Sequence, residues 1–310
     1  MTAPIPTVID CDPGTDDALA LWLALASPEL EVRLVTVAGG NVGLGLTLAN
    51  ARAIVGLTGK AVPVVAGAAK PLLGEYVSET AVHGGNGVGG VTLPEGPPAA
   101  PGLACDAIRD LLRAAGPGEV TLIGLGPATN LGLALGSEPA LVEKVREIVL
   151  MTGAWGEGNI TPGAEFNAAS DPEALAMVLA SGARVSLVTL DLTAQAFVTP
   201  ERVAALRGRS GGRCLAAAVE ILSRIPPSRR FGGRGYPLHD PCAVALAAVP
   251  GLMTVRDVAA VVECGTGPGR GRTHLDRWGR TGAPARTGLA EVLEAEAFFA
   301  LLEERLAALP

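Results

Sequence analysis

The sequence predicts an α/β fold: a single domain over residues 1–310, with a mostly parallel central sheet and helices on both faces, open and Rossmann-like. Three observations predict it. Short β-branched and leucine-rich runs alternate with helical segments, the pattern of right-handed crossovers between parallel strands. The polar residues able to do chemistry cluster just after those runs, and ligands of parallel sheets bind beyond the strands' carboxyl ends. No repeat, linker or break in composition divides the chain.

Each element follows from local pattern. Residues 7–9 are a short apolar strand ending at Asp10, and 18–26 form a Leu/Ala-rich helix with Asp16 and Asp17 in its first turn. Residues 33–37 are a second strand before Gly39-Gly40-Asn41, 47–57 a helix and 62–66 a strand. Residues 67–100 are rich in Gly and Pro without a strong period, a long loop of the kind that carries function. A helix over 105–115 and strands over 120–123 and 148–151 lead into a polar loop at 152–170. A helix over 171–181 and a strand over 185–190 follow. The remainder predicts helices over 200–207, 213–224 and 240–249, a strand over 258–263 and an amphipathic helix over 289–309.

Composition excludes several classes. With 310 residues, 49% of them hydrophobic and 18% charged, the chain can bury a large core, so a disordered protein is excluded. The net charge of −7 argues against a nucleic-acid partner, which needs clustered excess base. Cys11, Cys105, Cys214, Cys242 and Cys264 are odd in number, widely spaced and without C-x-x-C, so neither a disulfide framework nor a thiolate metal site is expected. The start of the sequence has no basic and apolar leader pattern, and the uncharged stretch 34–51 holds four glycines and two asparagines. It reads as strand, loop and helix start rather than a membrane span. The expectation is a cytoplasmic protein with no membrane partner.

Three clusters carry chemistry. Asp10-Cys11-Asp12-Pro13-Gly14-Thr15-Asp16-Asp17 sets four carboxylates in eight residues directly after a strand. They repel one another unless a cation or a helix dipole compensates, and all-oxygen ligands favour a hard ion, Ca²⁺ or Mg²⁺. The competing reading makes Asp16 and Asp17 a helix's first turn and Asp10 and Asp12 a solvated turn. The second cluster runs from Glu157-Gly158-Asn159 to Glu165-Phe166-Asn167, donors and acceptors beside an aromatic, suited to a polyhydroxylated ligand or to a polar surface loop. The third, Leu238-His239-Asp240-Pro241-Cys242, opens an apolar helix and pairs an imidazole with a carboxylate, or simply caps the helix. Gly85 to Gly90 spells G-x-G-x-x-G, but neither a strand before it nor a helix after it supports a dinucleotide site.

Together these clusters resemble the nucleoside hydrolase family of the inosine-uridine preferring type, over nearly the whole chain. The resemblance rests on DCDPGTDDA at 10–18, Asn41 after the second strand, GPATN at 126–130, EGN at 157–159, EFN at 165–167 and HDPCA at 239–243, in family order and spacing. It implies the family's fold and a calcium enzyme that hydrolyses the N-glycosidic bond of ribonucleosides to ribose and free base. By position, Asp12, Asp17, Asp240 and the backbone carbonyl of Leu125 would hold Ca²⁺. Asp12 would be general base to a calcium-bound water, with Asn41 lining the water and metal site. Asp16, Asn159, Glu165, Asn167 and Asp240 would hold the ribose hydroxyls, Met151 and Phe166 would lie near the sugar, and His83 and His239 would face the nucleobase, His239 as acid to the leaving group. The resemblance also implies a homodimer or homotetramer.

One segment departs from the family pattern. Between Glu220 and His239 only Phe231 and Tyr236 can stack on a base, and four arginines (224, 229, 230 and 234) occupy the stretch, as on a solvated flap. Trp155 is a third stacking candidate, or a core residue. Two other functions compete. A haloacid-dehalogenase-like phosphatase also opens with a strand and D-x-D, but Gly14 stands where its Thr belongs. A non-catalytic calcium-dependent nucleoside- or sugar-binding protein would share the site chemistry.

Overall fold

The structure is a computed structural model that describes residues 3–74 and 77–310. Eleven strands are present among these residues: β1 (Ile5–Cys11), β2 (Leu30–Val37), β3 (Val64–Ala66), β4 (Val120–Gly124), β5 (Val145–Met151), β6 (Val185–Val188), β7 (Phe197–Val198), β8 (Tyr236–Pro237), β9 (Met253–Val262), β10 (Thr273–Asp276) and β11 (Thr287–Leu293). Nine form one sheet in the order β10-β9-β11-β6-β5-β4-β1-β2-β3, and β7 pairs with β8 apart from it. The pairings from β3 across to β11 are parallel, while β9 runs antiparallel to both β11 and β10.

Strand residues alternate between two buried layers. Ile9, Val35, Ile123 and Val149 join the core on one face, and Val8, Leu34, Leu122 and Ile148 the core on the other. Burial on both faces is why the central residues of these strands are mostly apolar on both sides rather than alternating. Two helices on the first face are buried almost all round. Thr15–Ala26 is sealed from Thr15 to Leu25, with the Trp22 indole donating to the Ile54 carbonyl at 3.0 Å, and every residue of Asp240–Ala248 is buried. They pack on each other, so their N-termini meet.

Chain order fixes where a ligand goes. From β1 the chain moves outward through β2 and β3, then returns to lay β4 on the other side of β1. The loops leaving β1 and β4 therefore part in opposite directions and open a crevice between Asp12 and Leu125.

Local pattern and structure differ in several places, among them the following. A helix at Thr129–Ser137 was hidden by Gly132 and Gly136, and Gly132 is there for close packing, since a Cβ would sit 3.0 Å from the Ala174 carbonyl. Residues 289–293 mimic a helical face but form β11, because β6 and β9 flank them; the final helix is Ala295–Ala307. β10 is short and polar and gave no strand signal. The long loop holds one helical turn, Thr80–His83.

Candidate active site

The crevice continues into a cavity of about 560 Å³. Of the residues singled out in the sequence, Asp16, Asn41, His83, Leu125, Met151, Asn159, Glu165, Phe166, Asn167, His239 and Asp240 line it. Asp12 and Asp17 are not on its wall and are fully buried.

The acidic end is built by backbone. Asp17 ties the first turn together, accepting from Gly14 N–H at 2.7 Å and Asp12 N–H at 3.3 Å. Asn41 N–H donates to Asp12 Oδ2 at 2.7 Å, and its side-chain amide donates to the Asp12 carbonyl at 3.1 Å and to Asp17 Oδ2 at 3.2 Å. Gly40 and Gly126 make the slot for the Asp12 carboxylate, because a Cβ at either position would collide with it. Asp12 Oδ1 is buried and has no hydrogen-bond partner among the described residues. Asp16, Asp17 and Asp240 bring carboxylate oxygens within 4.8 Å of one another. The Asp12 carboxylate sits beside this trio in the glycine slot, with one oxygen tied to Asn41.

These groups cannot all be charged unaided. Burial, then the neighbouring carboxylates, push Asp12 and Asp240 well above the usual carboxylate range. Burial and Asp16 push Asp17 to about 7. The N-termini of two buried helices offset part of the repulsion, and a cation would offset the rest.

The sugar-facing side is also organised by its own hydrogen bonds. Glu165 Oε2 accepts from Gly153 N–H at 2.8 Å, Ala168 N–H at 3.0 Å and the Thr152 hydroxyl at 3.2 Å, and Oε1 from Asn167 N–H at 2.8 Å. The Asn167 amide donates to the Leu125 carbonyl at 2.7 Å and the Met151 carbonyl at 3.0 Å, joining the ends of β4 and β5. Asn159 Oδ1 accepts from Phe166 N–H at 2.9 Å.

At the far end stand two histidines. His83 Nδ1 lies 3.0 Å from Thr15 N–H, and His239 Nδ1 lies 2.7 Å from the Thr193 hydroxyl. Burial lowers the pKa of both imidazoles. His239 occupies the cap position of its helix but makes no side-chain cap bond. Phe231 and Tyr236 line the cavity; Phe231 packs against Phe197 and the Tyr236 hydroxyl donates to the Leu222 carbonyl at 2.6 Å. Trp155 does not reach the cavity: it is 43% exposed beneath the Arg277 guanidinium, 4.2 Å from the ring centre. Arg229 and Arg230 line the mouth, and Arg230 reaches the Gly158 carbonyl at 3.3 Å and the Glu157 carboxylate at 3.4 Å.

The family profile described as Inosine-uridine preferring nucleoside hydrolase matches residues 7–300. The chain belongs to the nucleoside hydrolase family. The pyrimidine-specific ribonucleoside hydrolase RihA of Klebsiella pneumoniae (strain 342) is 39% identical over 308 residues, covering 98% of both chains. A plant nucleoside hydrolase, the PpNRh1 enzyme, superposes with a TM-score of 0.90 at 31% identity, covering 98% of this chain and 99% of that one. The purine-preferring ribonucleoside hydrolase from Gardnerella vaginalis gives 0.88 at 30%, covering 97% and 98%. This nucleoside hydrolase is therefore an enzyme that cleaves the N-glycosidic bond of ribonucleosides, and the phosphatase and binding-protein readings fall away. No helix among its described residues is long and apolar enough to cross a membrane.

Several residues that hold the nucleoside hydrolase site were not singled out by the sequence as site residues. Thr36 and Asn130 donate to Asp10 Oδ1 at 2.6 and 2.8 Å. Asp191 accepts from Trp155 and Gly156 N–H, and the Thr273 hydroxyl grips both the N–H and carbonyl of Ala154. Glu79 lines the cavity beside His83. Asn130 closes the GPATN motif; for Asp191 and Thr273 the contact is purely tertiary.

Proposed function

We propose that residues 1–310 act as one catalytic unit, a calcium-dependent ribonucleoside hydrolase with Asp12 as general base. The observation that carries this reading is the unpartnered, buried Asp12 Oδ1 beside three converging carboxylates. Buried carboxylates this close need a positive counter-charge, and an all-oxygen donor set fits a hard cation such as Ca²⁺. Asp12, Asp17, Asp240 and the Leu125 carbonyl would hold it. When bound, the ion would supply a positive centre that gathers water and ribose hydroxyls and lowers the pKa of water.

The chain's own groups do the rest. Asp12, anchored through Oδ2 by Asn41, takes the proton of the attacking water at Oδ1. Asp16, Asp240, Asn159 and Asn167 bind and orient the ribose hydroxyls. Glu165 keeps the Asn167 turn in place and sets negative charge beside the sugar, while Met151 and Phe166 pack against it. The sugar becomes oxocarbenium-like as its bond to the base breaks, and preorganised carboxylates stabilise that positive charge. His83 and His239 face the base, and His239 delivers a proton to it.

Identity of 38–39% over nearly the whole chain to pyrimidine-specific RihA enzymes supports a preference for pyrimidine ribonucleosides. Exposed apolar side chains near the β9–β10 edge, Val261 at 61% and Trp278 at 76%, support self-association as a homodimer or homotetramer, which sedimentation measures. The deciding experiment assays ribose released from uridine, cytidine, inosine, adenosine, guanosine and xanthosine. We expect release to be fastest from uridine and cytidine, to stop on chelation and to return with Ca²⁺. Release indifferent to chelation would remove the metal from the reading, and inosine as fastest substrate would remove the pyrimidine preference.

A further inference from the structure

The cavity holds two histidines, and the structure treats them differently. Thr15 opens the helix Thr15–Ala26, so its N–H has no acceptor within the helix. That N–H points at His83 Nδ1 from 3.0 Å, and the Thr15 hydroxyl stands 3.0 Å from the same nitrogen. A peptide N–H can only donate. Nδ1 is therefore the bare nitrogen of the ring, and the proton of the neutral imidazole sits on Nε2.

Charge follows from the same contact. An imidazolium would press Nδ1–H against Thr15 N–H at the positive end of a helix dipole, an arrangement that keeps such a ring neutral. Gly14 allows the close fit: a Cβ there would lie 2.6 Å from Nδ1 and 2.8 Å from Cε1. The ring lines the cavity, and among the described residues no group bonds its Nε2. His239 contrasts with it. Its Nδ1 meets the Thr193 hydroxyl, which can give or take a proton, so geometry leaves that tautomer open.

We propose that His83 is a fixed, uncharged hydrogen-bond donor to the departing base. Its Nε2–H meets an unprotonated acceptor next to the glycosidic nitrogen, as a pyrimidine offers at its 2-carbonyl oxygen and a purine at N3. The electron pair of the breaking C–N bond passes to the base, and this hydrogen bond holds the negative charge gathering on that acceptor. The proton stays on Nε2 throughout, so His83 recognises and polarises the base without acting as an acid. The proposal rests on the ribonucleoside reading of the cavity.

The chain has only three histidines, at 83, 239 and 274, so the spectrum of enzyme labelled with ¹⁵N in histidine alone is short enough to read. Two-bond ¹H–¹⁵N correlation is recorded on the full chain with Ca²⁺ at pH 7. The ring whose signals vanish in His83→Gln is expected to show a bare Nδ1 and a protonated Nε2. An Nδ1–H tautomer, or protons on both nitrogens, overturns the proposal. In the activity arm, His83→Ala should lower kcat on uridine by about 10²–10³-fold, the usual cost of losing one donor to a developing anion. On p-nitrophenyl riboside, whose leaving group has no acceptor beside the breaking bond, the loss should stay under about tenfold. His83→Gln, which restores one N–H, should recover part of the uridine rate. Equal losses on the two substrates overturn the proposal. An unaltered enzyme that releases no ribose overturns the ribonucleoside reading itself, whereas the wrong ring pattern in an active enzyme overturns only the role of His83.

Discussion

The two ends of the cavity are held by different means. At the acidic end Asp12, Asp17, Asn41 and Asn167 are buried, and short bonds to backbone N–H and carbonyl groups fix them from several strands at once. At the other end residues 225–236 cross the mouth with most side chains exposed, held by the Ser228–Gly235 backbone bond, the Phe231–Phe197 contact and the reach of Arg230 to Glu157 and Gly158. The contrast teaches where precision is required. Carboxylates must stand within a fraction of an ångström of the reacting sugar, and only a buried, multiply bonded frame holds them so. A flat base tolerates a looser wall, so this end can differ between relatives that share the same chemistry.

Perturbing the acidic end should therefore dominate. A sugar lacking its 2′-hydroxyl leaves buried polar groups unpaired, which a site of this kind rejects by roughly 10⁴–10⁵-fold. We expect kcat/KM for 2′-deoxyuridine to fall below that for uridine on this scale; near-equal values would show that the rigid end does not read the sugar. Asp12→Asn removes the base and weakens the metal site while keeping the shape. Its expected cost is about 10²–10⁴-fold in kcat with Ca²⁺ saturating, and a loss below tenfold would break the comparison at its strongest point.

Stability gives an independent measure of the same frame. Burial pushes Asp10 and Asp17 to about 7 from an ordinary value of 3.8. The folded chain thus binds their protons more tightly than the unfolded chain does. Their contribution is greatest below the unfolded value and is lost as pH rises through 7. With Ca²⁺ chelated, Tm should be higher at pH 5.5 than at pH 8 by on the order of 5 °C, and saturating Ca²⁺ should shrink the difference by stabilising ionised Asp17 at pH 8, leaving the share of Asp10. Calorimetry across that range decides it: a metal-free Tm that climbs toward pH 8 contradicts the reading.

The smallest effect belongs to the flap. Arg230 makes half-exposed polar contacts, worth about 0–1 kcal/mol. Arg230→Ala should raise KM for uridine by at most about fivefold and leave kcat within about twofold. A kcat loss matching that of Asp12→Asn would mean that the two ends are not distinct, because the flap would then be setting the geometry of the sugar.

Much was legible in the sequence because the physics involved is local. Asp10 to Asp17 lie on one strand–turn–helix, so four carboxylates in eight residues placed themselves at a sheet mouth without reference to the rest of the chain. Short, mostly apolar runs such as 120–123 and 185–188, alternating with helical segments, marked strands of a parallel sheet. His239 and Asp240 announced themselves by opening an apolar helix. What tertiary structure alone decided was which of these local pieces meet. Packing of the helices Thr15–Ala26 and Asp240–Ala248 brings Asp16 and Asp17 to Asp240, and a slot made by Gly40 and Gly126 seats the Asp12 carboxylate. Residues 289–293 became a strand because neighbours on both sides needed a partner. Trp155 went to Arg277 and not to the base. The proton on His83 was placed by a peptide N–H 68 residues earlier in the chain. Composition and spacing determine which groups a segment offers, since those depend on neighbours along the chain; orientation, protonation and partnership depend on neighbours across it, and only the packed fold supplies them.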